Sequence, residues 1–355
     1  MARRHFQQAA VALETAYATP GANFTNLRLA EPIDWGVERN LFERPSAGTR
    51  GRLPSAPGKH EIRARVVMEA YPNMIFPFLL CAFGECVSAL VDVSAYTHTF
   101  SMLNNEAYPS LTLRVYEGQE QDVAWGRELA GGRVDSLEFI FNEEVFRVAA
   151  DILFQDMDGI ADLAAQLVHD GVDVDPFIRD MLDIQLATTD GGLPGSDATI
   201  EEFSCTLTNA MRSLHTFNGE VHPSAVIPDG FRTLSGAFQK KCANDNLLDL
   251  LIGTAVATPG QQLGPNVYDL PINANATHTT LAGAAVKYHE LNLDLNHCEY
   301  FEARVMDQGA RRVYTVGYRC AETGTSDSGC VLTNAEQFGA AGVTAAEKAG
   351  IPSWT

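Results

Sequence analysis

The sequence predicts a mainly β protein built as two tandem sandwich or half-barrel modules, each with one short flanking α-helix. Three observations carry that expectation. Ile62, Ala64, Val66 and Met68 alternate with Arg63, Arg65 and Glu69, the period of a half-buried strand. From Asn73 the period changes to a nearly continuous apolar run (Met74, Ile75, Phe76, Phe78, Leu79, Leu80) that stops at Gly84. This is the pattern of a short buried helix, with Asn73 as a possible N-cap, Pro77 in its first turn and Gly84 closing it. The same succession returns from Gly230 to Gly253, where an extended segment leads into Asn/Asp caps, a Leu-rich run (Leu247, Leu248, Leu250, Leu251) and a glycine stop. A unit that recurs this way predicts two copies of one module.

Composition narrows the classes. A length of 355 residues accommodates two modules with a core each. With 46% hydrophobic and 20% charged residues the chain is globular in composition, not disordered. No apolar run approaches the ~20 residues that span a bilayer. The formal charge of −20 opposes tight binding to a phosphate backbone. Gln7, Gln8 and Glu14 interrupt any signal-like apolar region after the basic start, so the seven cysteines are expected to be reduced.

Taken in order, residues 1–25 read as an N-terminal arm ending in the turn Thr19-Pro20-Gly21. The first module spans 26–155. It opens with a strand at Asn26–Asp34, continues through a long polar loop at Val37–Pro57, and then enters the strand–helix unit. Strands follow at Tyr96–Ser101 and Ser110–Tyr116, and Val134–Phe141 with Val145–Phe154 form a hairpin. Residues 156–199 are Asp-rich and read as an acidic linker with a short helix through Ile160, Leu163, Leu167 and Val168. The second module, 200–320, repeats the order: a strand at Ile200–Leu207, a polar loop at Met211–Pro228, and the second strand–helix unit. An irregular insertion at Thr254–Thr280 precedes strands at Val286–Leu295, Glu299–Val305 and Arg312–Arg319. The small, polar tail, 321–355, is expected to pack loosely or dock on a neighbour.

Motifs for chemistry are not evident. Asp156-x-Asp158-Gly159 and Asp170–Asp175 lack the alternating ligands, central Gly and terminal Glu of a calcium loop. His289, His297 and Cys298 lack zinc spacing, as do Cys81/Cys86 and Cys320/Cys330. There is no nucleophile elbow, Walker loop, dinucleotide fingerprint or H-E-x-x-H. No catalytic, cofactor-binding or metal-binding residue is therefore assigned, and no cofactor is expected.

The residues do carry a resemblance. Ala12-Leu13-Glu14-Thr15-Ala16-Tyr17-Ala18-Thr19-Pro20-Gly21 resembles the A-x-E-x-x-Y-G-T-P start of major tail tube proteins of long, non-contractile-tailed (siphovirus-like) bacteriophages, with Ala18 where Gly is usual. The stretch IEEFSCTLTNAMRSLHTF and the strand–helix unit after it look like the same layout repeated, as in tube proteins with two fused tube domains. The resemblance implies a non-enzymatic virion protein of two tail-tube-like sandwich domains, in which trimeric, pseudo-sixfold rings stack into the tube that delivers DNA. It implies as partners other copies of the chain, the tape measure protein, the tail terminator and tail-tip proteins. DNA would be met only in transit and a membrane not at all. Localisation would be the virion tail, after assembly in the bacterial cytoplasm. Arg39, Phe42, Arg44 and Arg50 in one loop, with His215 and Phe217 in the other, would be the inter-ring contacts. The other classes weighed are a virion-attached or secreted carbohydrate-active β-sandwich enzyme, needing two carboxylates ~5–10 Å apart, and a two-domain β-sandwich adaptor.

Overall fold

The computed structural model describes residues 5–21, 24–45, 52–72, 74–91, 95–102, 108–119, 125–141, 144–160, 175–187, 194–197, 199–216, 222–241, 270–281, 288–308, 311–321 and 328–334. In chain order come β1 (His5–Leu13), β2 (Thr25–Leu27), β3 (Asp34–Pro45), β4 (Arg52–Glu69), α1 (Phe76–Phe83), β5 (Gly84–Leu90), β6 (Tyr96–Met102), β7 (Leu111–Gln119), β8 (Trp125–Ile140), β9 (Arg147–Phe154) and β10 (Asp156–Ile160). A 3-10 turn at Arg179–Met181 leads to β11 (Leu182–Leu186), β12 (Gly195–Ser196), β13 (Ile200–Thr208), β14 (Met211–Leu214) and β15 (Ala225–Pro228). Then follow β16 (Thr233–Lys241), β17 (Ile272–Leu281), β18 (Tyr288–Leu295), β19 (Cys298–Gln308), β20 (Arg311–Cys320) and β21 (Gly329–Asn334). The protein is mainly β, in the sandwich class.

The large sheet has the spine β3-β4-β9-β8-β13-β16-β20-β19, antiparallel throughout. This spine is one four-stranded unit written twice. Numbered by chain order, β3-β4-β9-β8 is first, second, fourth, third, and β13-β16-β20-β19 is the same. In both units the third strand carries one extra residue against the fourth. It is Asp135 between the pairs Val134–Ile152 and Ser136–Asp151, and Phe301 between Tyr300–Tyr318 and Glu302–Gly317. β8 also leaves the spine at its N-terminal half, where it pairs with β7 and β10 and thereby attaches β1 and β2. The change of direction falls at Gly131, with φ +67, and Gly132, where an added Cβ would lie 2.5 Å from the Phe154 ring.

The second sheet runs β12-β11-β17-β18-β21-β6-β5. One apolar cluster joins the two sheets, with Ile62, Val66, Leu137, Phe139 and Phe154 from the first and Phe100, Ile272, Leu291 and Leu332 from the second. α1 packs on β8, β5 and β6 with all eight residues buried. Full burial of Phe76, Phe78 and Phe83 contributes about 1.5–3 kcal/mol each. Pro77 lies at the helix start and Gly84 closes it at φ 94, its N–H donating to Leu80 O.

Several expectations change. The helix is capped by Ile75 with no side-chain bond, not by Asn73, which lies outside the described residues. Of the expected loop Val37–Pro57, residues 37–45 and 52–57 are paired strand in β3 and β4, and of the expected loop 211–228, residues 211–214 and 225–228 pair as β14 and β15. The N-terminal arm contains β1, which is inside the sheet between β7 and β2. The expected strand at Asn26–Asp34 is reduced to β2 and an isolated bridge, Leu29 to Met68. The acidic linker supplies β10 to one sheet and β11–β12 to the other. β17 replaces the end of the expected irregular insertion, and β21, in the expected loose tail, is central in its sheet between β18 and β6. β1, β11, β17 and β21 owe their order to pairing with a strand distant in sequence, which a local pattern does not report. The expected helices through Leu163 and Leu247 lie outside the described residues.

Candidate assembly edges

The opening decapeptide forms a clasp around Glu14. Its Oε1 accepts from Thr112 Oγ1 and Gly131 N, both at 2.8 Å, and its Oε2 from Ser110 Oγ at 2.5 Å and Ala18 N at 2.9 Å. Burial pushes this carboxyl up from its ordinary value, and the four donors pull against that. Each oxygen takes one backbone N–H, so the geometry is that of an ionised carboxylate. Tyr17 continues the clasp across the molecule: its Oη accepts from Val226 N at 2.6 Å, and Arg133 stacks over its ring while donating to Val226 O at 2.7 Å. Gly21 has Leu13 O only 2.6 Å from where a Cβ would be. Asn209 does similar work in the second half. Its Nδ2 donates to Ala82 O and Val134 O at 2.9 and 3.0 Å, and its Oδ1 accepts from Arg232 Nε at 3.1 Å. Tyr17 with Arg133, and Asn209, thus tie the two halves together, while Glu14 fastens the first half to itself.

The two halves meet edge to edge where β8 pairs with β13, Leu137 opposite Leu207 and Phe139 opposite Cys205. Phe141 N donates to Phe203 O at 3.3 Å, and hydrogen-bonded pairs recur at every second residue, so 139–205 and 137–207 are hydrogen-bonded pairs. At the ends of the spine, β3 has β4 as its one partner and β19 has β20, among the described residues. Counting from the two bulges, Ile152 corresponds to Tyr318, Ala64 to Gly236, Val37 to Leu207 and Val305 to Phe139. Leu207 and Phe139 are 0% and 1% exposed, whereas Val37 and Val305 are 38% and 48% exposed. The same register positions are thus buried at the inner joint and open at the outer edges. Phe301, 63% exposed, and Met306 add apolar surface on β19.

The chain matches no protein-family model and no curated protein in sequence.

The solvent face of the first unit is acidic. A groove of about 450 Å³ is lined by Asp34, Glu38, Arg63, Arg65, Asp135 and Asp151 among others. Arg65 lies 3.0 Å from Asp151 and 3.3 Å from Glu138, and Arg63 is 2.5 Å from Glu61, so both guanidinium groups are already paired. Among the described residues no group of three or more His, Cys, Asp or Glu could hold a metal ion, and no helix is long and apolar enough to cross a membrane.

Of the expected loop contacts, Arg39 lies on β3 and is exposed, and His215 follows β14. They flank the same place. Burial and then Arg39 and His222 lower the pKa of His60, while burial and then Lys59 lower that of His215. The His60 and His222 rings meet edge-on at 5.6 Å. Phe42 and Arg44 are on β3 with side chains outside the description, and Arg50 and Phe217 lie outside the described residues. The edge residues Val37, Phe301, Arg304, Val305 and Met306 are not singled out by the sequence. The one signal is Met306, which follows the alternating Phe301, Ala303 and Val305 and puts an apolar group on the face of Glu302 and Arg304.

Proposed function

We propose that this chain is a structural subunit that polymerises head to tail through its sheet edges. In this reading it is the major tail tube protein of a long, non-contractile-tailed phage, with two tube modules in one chain. The observation that carries the reading is the β8–β13 joint, which pairs the third strand of one unit with the first strand of the next. A spine with another third strand, β19, at one edge and another first strand, β3, at the other offers the same joint to neighbouring chains. Because the two edges differ, the contact is heterologous and closes into a ring if the rotation allows. Such closure removes the exposed edges, which are otherwise a liability. By register Val37 meets Ala303, Trp35 meets Val305, and Gly36 meets Arg304, which places the Arg304 guanidinium between Asp34 and Glu38.

Three chains per ring would give six units, and stacked rings the tube. The hairpin β3–β4, with Arg39, and the neighbouring β14–β15 segment, with His215, would reach the next ring. The acidic face of the first unit would line a channel that repels DNA and lets it slide. Its partners are further copies of itself and the tape measure, terminator and tip proteins of a virion tail. Negative-stain electron microscopy of the concentrated protein tests this, with Val305→Pro as the control. By its correspondence to Phe139, the Val305 N–H points outward, so proline there removes a donor of the joint while an edge strand tolerates it. Rings or tubes with a channel of uniform width from the wild type, and none from the variant, are expected. Tubes from both, or a wild type that stays monomeric even when seeded with phage tail ends, would overturn the reading.

A further inference from the structure

Two thiols face each other at the start of the outer edge strand. Cys298, the first residue of β19, lies directly opposite Cys320, the last residue of β20. The N–H of Ala321 donates to His297 O at 3.0 Å, which makes 298–320 a non-hydrogen-bonded pair. At such positions antiparallel backbones approach most closely, to about 4.5 Å between Cα atoms, inside the range a disulfide spans. The two sulfurs are 2.9 Å apart, nearer than unbonded sulfurs ordinarily sit. His297, in the left-handed region at φ 53, turns the chain sharply from β18 into β19 and fixes where Cys298 points. Both are buried, Cys298 wholly and Cys320 with 8% of its surface exposed, so Cys320 lies nearer the surface of the two.

We propose that Cys298 and Cys320 form a reversible cross-strand disulfide that pins the outer edge strand β19 to β20. The reaction is thiol–disulfide exchange with a small-molecule disulfide such as oxidised glutathione. The Cys320 thiolate attacks one sulfur of the reagent and expels one glutathione thiolate. The Cys298 thiolate then attacks the Cys320 sulfur of the mixed disulfide and expels the second. Two protein thiols become one disulfide, the reagent is reduced to two thiols, and two protons are taken up by the departing thiolates. Burial pushes the Cys298 thiol far above its ordinary range, so the second step is slow at neutral pH and accelerates in alkali. In the reducing cytoplasm the pair stays open, and it closes when the chain meets an oxidising medium. Fastening β19 in this way holds the joint strand in place whether or not a neighbouring chain covers it, and the inference does not depend on the ring reading.

The test is a redox titration of the full-length, reduced protein in glutathione buffers at alkaline pH, quenched by alkylation and read by intact mass and peptide mapping. A loss of two hydrogens per chain, a linked Cys298–Cys320 peptide, full reversal by dithiothreitol and an upward shift of Tm in the oxidised form are expected. Cys298→Ser and Cys298→Ala should each abolish the link and the Tm shift. Two alkylated thiols at 298 and 320 under every oxidising ratio, or a link from Cys320 to Cys205 instead, would overturn the proposal. The wild-type titration needs no variant, so a folding defect in either leaves it decisive.

Discussion

Ala18 stands where the resembled motif has glycine, and its backbone is at φ 55, in the left-handed region that a Cβ disfavours. It is held there because its N–H is one of the four donors to Glu14. Replacing Ala18 with Gly is therefore expected to stabilise the chain by about 1 kcal/mol, the usual order for relieving a positive φ. Urea unfolding checks this: the midpoint should rise with an unchanged slope, and no rise would mean that the turn carries no strain. The decapeptide was legible as a motif, but not the reason for it. Ser110, Thr112 and Gly131 complete the clasp from the start of β7 and from β8, and nothing in the spacing of residues 12–21 announces them. In sequence Glu14 is a polar interruption and a motif letter, whereas in the fold it is a buried acid.

At the scale of elements, the strands with one buried face were the legible ones. β4 from Ile62 onward, β13, β18 and β20 alternate apolar against polar residues, and each lies on a sheet with a core beneath it. The β3–β4 pair resembles a loop in sequence because its outer part, beyond Arg39 and His60, shows no such alternation and contains Pro45, Pro54 and Pro57. At the foot of that hairpin, burial and nearby cations hold His60 and His215 below the ordinary histidine value near 6.5. The charged forms are disfavoured in the folded state, so the unfolded state binds more protons between the depressed values and about 6.5. The contact between the hairpin foot and the β14–β15 segment should be fully formed above that range and weaken as pH falls through it. Protection factors at Ala225–Ile227, that is, amide exchange divided into its intrinsic rate at each pH, are expected to fall on acidification, and His60→Gln with His215→Gln should flatten the response. Protection that is independent of pH in the wild type would show that these histidines bear no part of the contact.

At the scale of the molecule, two copies of a module were expected from the recurrence of a strand–helix unit. The repeat that the structure displays is the strand order and the bulge: β3-β4-β9-β8 and β13-β16-β20-β19, with Asp135 and Phe301 in the same place. The two rest on different residues. The second Leu-rich run lies outside the described residues, and the strand order becomes visible only in three dimensions, because pairing partners such as Ala64 and Ile152 are far apart in sequence. The expected boundary at 156–199 does not interrupt either sheet, since β8 joins β13 and β6 joins β21 across the halves. That continuity makes the inner joint the template for the proposed outer one, and its register can be tested to the residue. Glu138–Thr206 is a non-hydrogen-bonded pair on the solvent face, and its counterparts are Arg304 on β19 and Gly36 on β3. Arg304 is exposed, and an added Cβ at Gly36 meets nothing within 4 Å. The decisive measurement is oxidation of the double variant Gly36→Cys with Arg304→Cys under assembly conditions, read on a non-reducing gel beside both single variants and the offset pair Gly36→Cys with Met306→Cys. Chain-to-chain linkage that closes at the trimer is expected in the first pair alone. Equal linkage in the offset pair, or none in either, would contradict the proposal that β19 of one chain continues the sheet at β3 of the next.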